Sequence, residues 1–527
     1  MSVARTERSS CSIFSLPTEL QKRIIRYAIP QVDHPFFLEP PILTPTSRYE
    51  RDPHESTRIH ADYITVMNFS ATCSFYRSLL APLIFPKIIL RNTQKSGASI
   101  TAIAKGRHRG VVKELHLHFI GSASEESSDT GSETSDESAR NFKDDPILPL
   151  SVRVILSNLN GPDRLFPNLE RVTIEFDFDE DEWYRHWGED ILQDEYESVD
   201  KAIEVECSDA WRALLCETFE ALANNVENKC ASNGNELHSF SAFKIAKLQP
   251  VRISALSSDK WKSLLSNHVK EFTLQLLPPV DLSGWEINSC ECMVGWTGNF
   301  DEEFFNHLDL CEGLTLLPNE SAPLGLYPEG HNRHYCPLAL RPGQMPRLRT
   351  LELEYIVICP ELIDFVVARK DTLESLVMRD CFASSRPLVA DGTPRWANLF
   401  DALVEARPKN LTRIEVLIVK QEIDYDNLFC EDDDTDFCEL QRMKELLEED
   451  RDAQGERKRD GTEDEDMGVI DRRKRGKRTL FLYAMLDPKY GFCFTCVSEI
   501  RTQFLEGEDQ ESWDTLMDLV WDNGQRT

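Results

Sequence analysis

Two short runs of sequence that begin 25 residues apart indicate the fold, Leu348-Arg-Thr-Leu351-Glu-Leu353 and Leu373-Glu-Ser-Leu376-Val-Met378. In each run the first, fourth and sixth positions are apolar, and the last two of these have the spacing of side chains on one face of a strand. The segment between the runs, Pro360-Glu-Leu-Ile-Asp-Phe-Val-Val367, has helical apolar spacing and begins with proline, which suits a first helical turn. We therefore expect a strand and a helix to recur as one unit.

Four more runs have the same order of apolar residues, at residues 112–119, 169–176, 269–276 and 411–416. This order is the strand signature of a leucine-rich repeat. A unit this small cannot bury its apolar face alone and must stack on its neighbours. We predict an α+β or α/β solenoid, an irregular leucine-rich-repeat horseshoe over residues 91–420, in preference to an ordinary α/β domain. The longer intervals between runs predict irregular repeats with insertions.

The first 90 residues have a different pattern. After a polar leader, residues 1–12, an amphipathic helix is predicted from Leu16 to Ala28 and a second from Val66 to Leu80, separated by a proline-rich insertion at residues 30–62. Residues 13–90 therefore form a separate helical module in this prediction.

This module resembles an F-box, the helical module with which substrate receptors dock on the Skp-type adaptor of a cullin–RING ubiquitin ligase. The matching motifs are Leu16-Pro17-x-Glu19-Leu20-x-x-x-Ile24-Ile25, Cys73-x-x-Tyr76-Arg77-x-Leu79 and Pro82-x-Ile84-Phe85. With Lys489-Tyr490-Gly491 and an acidic, aromatic last helix, the chain resembles fungal F-box proteins with degenerate leucine-rich repeats. The resemblance implies a Skp-type adaptor and a cullin scaffold as partners. The candidate adaptor-facing residues are Leu16, Pro17, Leu20, Ile24, Ile25, Leu79, Leu80 and Pro82, and the alternative is that some of them pack within the module.

Net charge is concentrated in three acidic segments, residues 121–138, 177–200 and 421–471, which carry nearly all of the formal charge of −32. Their composition predicts an acidic loop at residues 121–145 and a charged, mostly disordered linker at residues 421–478. Because phosphate binding needs clustered bases, we expect no nucleic-acid partner. The absence of an apolar segment of spanning length, or of a signal peptide, predicts no membrane partner and a location in the nucleus, the cytoplasm or both.

A basic cluster follows the acidic linker and has the spacing of a bipartite nuclear-import signal. The alternative is that the acidic segment folds back and neutralises it. The candidate import residues are Lys458, Arg459, Arg472, Arg473, Lys474, Arg475, Lys477 and Arg478.

Beyond the linker, residues 479–527 predict a hairpin and a helix that cap or dock on the array. Two apolar strand-like runs, Leu480 to Leu486 and Phe492 to Val497, flank Asp487-Pro-Lys-Tyr-Gly491, a hairpin signal. The last helix contains Trp513 and Leu516.

Catalytic chemistry has little support in the sequence, which lacks the common nucleotide-binding, nucleophile-elbow and zinc-protease motifs. His116 and His118 alternate on one strand; exposed histidines are the preferred interpretation, and a metal pair is the alternative. Cys493-Phe-Thr-Cys496 is a single C-x-x-C motif, and no two further ligands stand at the spacing of a zinc finger from it. We expect no catalytic residue, no cofactor and no metal.

The interpretation is a non-enzymatic substrate receptor of a ubiquitin ligase, whose repeat surface binds a target protein that the sequence does not identify. The alternatives are a scaffold of the same architecture outside any ligase, and an enzyme with an unrecognised site in residues 91–420.

Overall fold

The computed structural model describes residues 74–120, 142, 146–160, 164–177, 198–225, 240–277, 291–318, 322–325, 336–385, 394–419, 479–486 and 493–525. They form a mixed α/β structure around one nine-stranded sheet. Within these ranges, no helix is both long and apolar enough to cross a membrane.

The nine strands are all parallel and lie side by side in the order in which they occur along the chain. Each strand therefore pairs only with its neighbours in sequence. The strands are β1 (Lys87–Arg91), β2 (Glu114–Ile120), β3 (Arg171–Asp177), β4 (Ala242–Leu248), β5 (Glu271–Leu276), β6 (Gly313–Leu317), β7 (Thr350–Glu354), β8 (Ser375–Arg379) and β10 (Arg413–Leu417).

Six of these strands coincide with the six runs identified in the sequence, and β4 and β6 lie in the two longest intervals between runs. The longer intervals therefore hold further strands, which the sequence analysis did not identify, in addition to the insertions. Both strands follow the same apolar order, in Phe240-Ser-Ala-Phe243-Lys-Ile245 and in Cys311-Glu-Gly-Leu314-Thr-Leu316. Phe240 and Cys311 are both fully buried, so the first position accepts any side chain that fills the core at that depth.

One hydrogen-bonding arrangement recurs at all eight junctions between neighbouring strands. The carbonyl oxygen just before one strand accepts two hydrogen bonds from consecutive N–H groups at the start of the next. Lys113 O, for example, accepts from Glu170 N at 2.7 Å and from Arg171 N at 3.0 Å. The repeat sets the register at the start of each strand. The accepting residues are Pro86, Lys113, Glu170, Ser241, Lys270, Glu312, Arg349 and Glu374.

Twelve helices belong to the described residues. They are α1 (Ser74–Ile84), α2 (Gln94–Lys105), α3 (Leu150–Leu156), α4 (Val199–Glu206), α5 (Ala210–Ala223), α6 (Asp259–His268), α7 (Glu291–Gly298), α8 (Phe300–Glu303), α9 (Pro360–Ala368), α10 (Trp396–Ala406), α11 (Val497–Glu506) and α12 (Glu508–Gly524). Two short 3₁₀ turns, Ser254–Ser257 and Phe305–His307, accompany them.

The core lies between one face of the sheet and the helices. Trp261 of α6 is fully buried; its ring lies 5.2 Å from that of Phe219 in α5, 5.8 Å from that of Phe243 in β4 and 6.3 Å from that of Phe304. Its indole N–H donates to Glu303 O at 3.0 Å. Aromatic side chains of the central strands and helices therefore form one continuous layer. Helix α2 comes close enough to α3 that a Cβ on Gly97 would lie 2.1 Å from Ser151 Oγ.

Residues 479–486 and 493–525 pack against the last strands and helices of the sheet. Strand β11 (Tyr483–Leu486) pairs in parallel with β9 (Ala383–Ser384) and antiparallel with β12 (Cys493–Thr495). Asp509 of α12 accepts hydrogen bonds from Tyr483 OH at 2.6 Å and from Ala397 N, in the first turn of α10, at 2.9 Å. Asn523 Nδ2 donates to Pro408 O and Leu411 O. Burial raises the pKa of the Asp509 carboxyl, although these hydrogen bonds act in the opposite direction.

Candidate functional site: the polar face of the sheet

The face of the sheet opposite the core carries polar and charged side chains. Because side chains alternate along each strand and the strands are in register, these residues line up in rows across the sheet. The middle row runs through His116, Thr173, Lys244, Thr273, Thr315 and Glu352, one residue from each of β2 to β7. Lys244, Thr273, Thr315 and Glu352 of this row are partly exposed and available for recognition, whereas His116 and Thr173 are buried.

A buried ionic cluster occupies the part of this face formed by β2, β3 and β4. Glu175 Oε2 lies 3.0 Å from His116 Nε2, and Glu175 Oε1 lies 3.0 Å from Lys247 Nζ. The three side chains are 10%, 4% and 17% exposed, in the order Glu175, His116, Lys247. Burial alone would raise the pKa of Glu175, but the hydrogen bond from His116 and the charge of Lys247 outweigh it and lower this pKa to about 2. Glu175 is therefore a carboxylate at neutral pH.

A β-bulge brings Lys247 to this cluster. The pairing of β4 with β5 shifts between Ile245 and Leu248, and Lys247 has φ 57°. Strict alternation after Phe243 and Ile245 would direct Lys247 into the core, whereas the bulge directs it to Glu175 and keeps Leu248 buried. A left-handed backbone at a lysine is unfavourable, so the ionic contact must offset that cost.

A second ionic contact joins the first three strands on the same face. Glu114 of β2 contacts Lys87 Nζ of β1 at 3.0 Å and Arg171 Nη1 of β3 at 3.2 Å. Lys87 and Glu114 are each 12% exposed, whereas Arg171 is 52% exposed. The charged groups near this end of the sheet are thus fixed by one another, and Arg171 still reaches solvent.

The structure places His116 in the buried ionic cluster and His118 beside it. His116 is 3% exposed, so the prediction of an exposed histidine is wrong for this residue, because its ring is held between strands by Glu175. Its ring centroid lies 6.1 Å from that of His118, which is partly buried. His116 Nδ1 is buried without a hydrogen-bond partner in the described part of the chain. Within that part, no three His, Cys, Asp or Glu side chains are grouped so that they could hold a metal ion.

Burial raises the pKa of four cysteine thiols in the core. Burial raises the pKa of the thiols of Cys311, Cys359 and Cys381 to about 12. Because the thiolate is the form that attacks carbon or binds metal, these three side chains stay protonated and unreactive at neutral pH. Cys216 behaves in the same way, since burial and the nearby Glu206 raise the pKa of its thiol.

Few of the residues singled out in the sequence fall within the described structure. Leu16, Pro17, Leu20, Ile24 and Ile25 lie outside the described residues, as do the acidic loop, the charged linker and all eight import candidates. In α1, Leu80 is buried and Pro82 is exposed, and the side chain of Leu79 also lies outside the description. The strand signature indicates which side chains face away from the core, but it does not predict the rows that they form across the sheet.

Comparison with known proteins adds no constraint, since no family model, no curated protein and no solved structure matches this chain.

Proposed function

We propose that this chain is a substrate receptor of a cullin–RING ubiquitin ligase, in which the sheet is an irregular leucine-rich-repeat solenoid and its polar face binds the target protein. The single observation that carries the proposal is the repeated junction: at eight consecutive junctions, neighbouring parallel strands are joined through the same pair of hydrogen bonds. Stacked units of this kind build extended protein-binding surfaces. No catalytic step is assigned to the chain, and ubiquitin transfer belongs to other subunits.

The segment around β8 matches the leucine-rich-repeat pattern at more positions than the strand signature alone, which supports the repeat assignment. Leu373, Leu376, Met378 and Cys381 occupy the four key positions of the leucine-rich-repeat pattern, in which asparagine or cysteine stands last. Cys381 is 2% exposed, and its Sγ lies 3.6 Å from Leu353 O of the preceding unit. A side chain that contacts the backbone of the neighbouring unit is what that last position requires.

The contacts around α1 support a direct coupling between the F-box-like module and the array. Phe85 follows α1, donates its backbone N–H to Ala81 O at 2.9 Å and stacks on His108 with ring centroids 5.5 Å apart. Arg107 Nη2 donates to Ser74 O at 3.2 Å, at the other end of the helix. The helix is therefore tied to the first unit at both ends, which suits a receptor that must hold its target at a fixed position.

A double substitution tests adaptor docking. Because apolar anchors at an interface centre contribute about 2 kcal/mol or more each, Leu16→Ala with Pro17→Ala should weaken binding of a purified Skp-type adaptor at least about tenfold. Titration calorimetry measures the affinity, and circular dichroism checks that both proteins are folded.

The matched control removes the same two residue types from the start of α3. Pro149→Ala with Leu150→Ala should leave adaptor binding unchanged, because Leu150 is 72% exposed and far along the chain from the F-box-like module. If the first double variant binds the adaptor as tightly as the control does, the ligase assignment fails. The chain is then a scaffold of the same architecture, and its affinity purification contains no cullin.

Nuclear import is part of the proposed location. Six bases in residues 472–478 are expected to carry a large fluorescent reporter into the nucleus when residues 455–480 are fused to it. The same fusion with Arg472, Arg473, Lys474 and Arg475 changed to alanine is the control and should remain cytoplasmic. If microscopy finds the unmutated fusion in the cytoplasm as well, the cluster is only a solvated run of charge.

A further inference from the structure

Lys244 stands near the middle of the polar face and is not neutralised. In the described part of the structure it forms no salt bridge, although Glu271 faces the same side of the neighbouring strand. Its neighbours along β4 on this face are Ala242 and Ala246, whose side chains end at Cβ. The ammonium group is thus partly exposed among short side chains.

Three threonines flank Lys244 in the middle row. Thr173 precedes it in β3, and Thr273 and Thr315 follow it in β5 and β6, each directly paired with the next. None of the three hydroxyl groups forms a hydrogen bond within the described residues; Thr273 and Thr315 are partly exposed, whereas Thr173 is buried. Since neighbouring strands lie roughly 4.8 Å apart, the exposed part of the row, from Lys244 to Thr315, spans roughly 10 Å, the length of about three extended residues.

The part of the polar face that surrounds Lys244 has more basic than acidic side chains, whereas the whole chain has a net negative charge. Across β1 to β6, the described side chains on the polar face include five bases and three acids, whereas the chain carries a formal charge of −32. An anion that approaches this region therefore meets a local excess of positive charge. The bases are Lys87, Arg91, Arg171, Lys244 and Lys247, and the acids are Glu114, Glu175 and Glu271.

We infer that the exposed part of this row, here named the Lys244 row (Lys244, Thr273 and Thr315), binds an acidic, extended segment of the target protein that lies across the strands. Carboxylates of the segment pair with Lys244 and accept hydrogen bonds from the threonine hydroxyls. Arg171, which is half exposed, adds charge beside the row. The inference rests on the proposed function, because it assigns a partner class to the same polar face.

Carboxylate is the assigned anion, and phosphate is not. Phosphate groups are typically recognised by clusters of arginines that donate bidentate hydrogen bonds. The cation of this row is a single lysine, and the guanidinium group of Arg171 is already engaged by Glu114. Single ammonium and hydroxyl donors suit a carboxylate that needs one charge and one or two hydrogen bonds.

Fluorescence anisotropy with the full chain tests the inference, with a fluorescein-labelled decaglutamate peptide as the probe. We expect saturable binding that weakens as salt is raised, and about tenfold weaker binding for Lys244→Glu, because a charge-assisted contact is lost and repulsion is added. Thr273→Val, which keeps the shape and removes the hydroxyl, should weaken binding about threefold.

The matched control is Lys95→Glu, which makes the same charge reversal at an exposed position of α2 and should bind the peptide like the unmodified chain. Equal binding by Lys244→Glu and Lys95→Glu, or no binding of decaglutamate at all, overturns the inference. Tighter binding of a peptide with phosphoserine in place of glutamate overturns the choice of carboxylate. Adaptor binding by Lys244→Glu is measured in parallel and should be unchanged, so failure of this inference is distinguishable from failure of the ligase assignment.

Discussion

Replacing Trp261 by alanine is expected to lower the free energy of unfolding by about 3–5 kcal/mol, the range found when a large buried aromatic side chain is removed from a core. Trp261 contacts aromatic rings from three other elements and satisfies Glu303 O with its indole N–H. The substitution therefore leaves a cavity and an unpaired buried carbonyl in the middle of the aromatic layer. Urea denaturation followed by circular dichroism measures the loss.

Two further variants test whether the loss of stability comes from the packing of the buried ring or follows from removal of any large apolar side chain. Trp261→Phe keeps an aromatic ring in the layer and should lose less stability than the alanine variant. Leu150→Ala removes a large apolar side chain that is 72% exposed, and its effect should stay within about 0.5 kcal/mol. If Trp261→Ala unfolds at the same urea concentration as Leu150→Ala, the aromatic layer does not stabilise the sheet.

Replacing Glu175 by glutamine is the second change with a large expected effect, about 3–5 kcal/mol, because it removes the charge that His116 and Lys247 both contact in a buried cluster. The effect depends on pH. The pKa of Glu175 is about 2 in the folded chain, against an ordinary value of 4.5. When pH falls below about 4.5, the unfolded chain takes up the proton first, so the stabilisation by Glu175 is complete above that pH and is lost as pH falls toward 2.

Urea denaturation at several pH values tests this expectation. The difference in stability between the unmodified chain and Glu175→Gln should be largest near pH 7 and should narrow below about pH 4.5. Glu170→Gln serves as the control, because Glu170 and its partner Lys113 are 62% and 59% exposed, and such a surface pair contributes less than about 1 kcal/mol. A difference for Glu175→Gln that does not change with pH would show that its charge contributes nothing to stability.

The sequence predicts the sheet better than it predicts the site. Strands such as β2 and β8 could be located because their core-facing side chains are large, apolar and two residues apart, which is a local property. Strands β4 and β6 follow the same apolar order but lack the leucine or valine that stands first in the other six runs, with Phe240 in one and Cys311 in the other. Burial, and not residue type, is the requirement at that position.

The rows of the polar face depend on how strands pair, and pairing is not a local property. Lys244 and Thr273 are 29 positions apart in the chain, and only the repeated junction bonds place them side by side. The bulge at Lys247 is still less predictable, since alternation along β4 directs that side chain to the wrong face. The sequence therefore indicates which residues avoid the core but not which of them meet.

The order of the strands has a consequence for the time course of folding. Every pairing in the nine-stranded sheet joins units that are made one after the other, so each unit can dock on its predecessor during synthesis. Residues 479–486 and 493–525 are different, because the contacts of Leu482 with Trp396 and of Asn523 with Pro408 span 86 and 115 positions. These contacts must wait until the charged linker has left the ribosome. Until then the apolar surface of β9 and α10 stays uncovered, and a chaperone that recognises exposed apolar segments would meet the protein at this point of its synthesis.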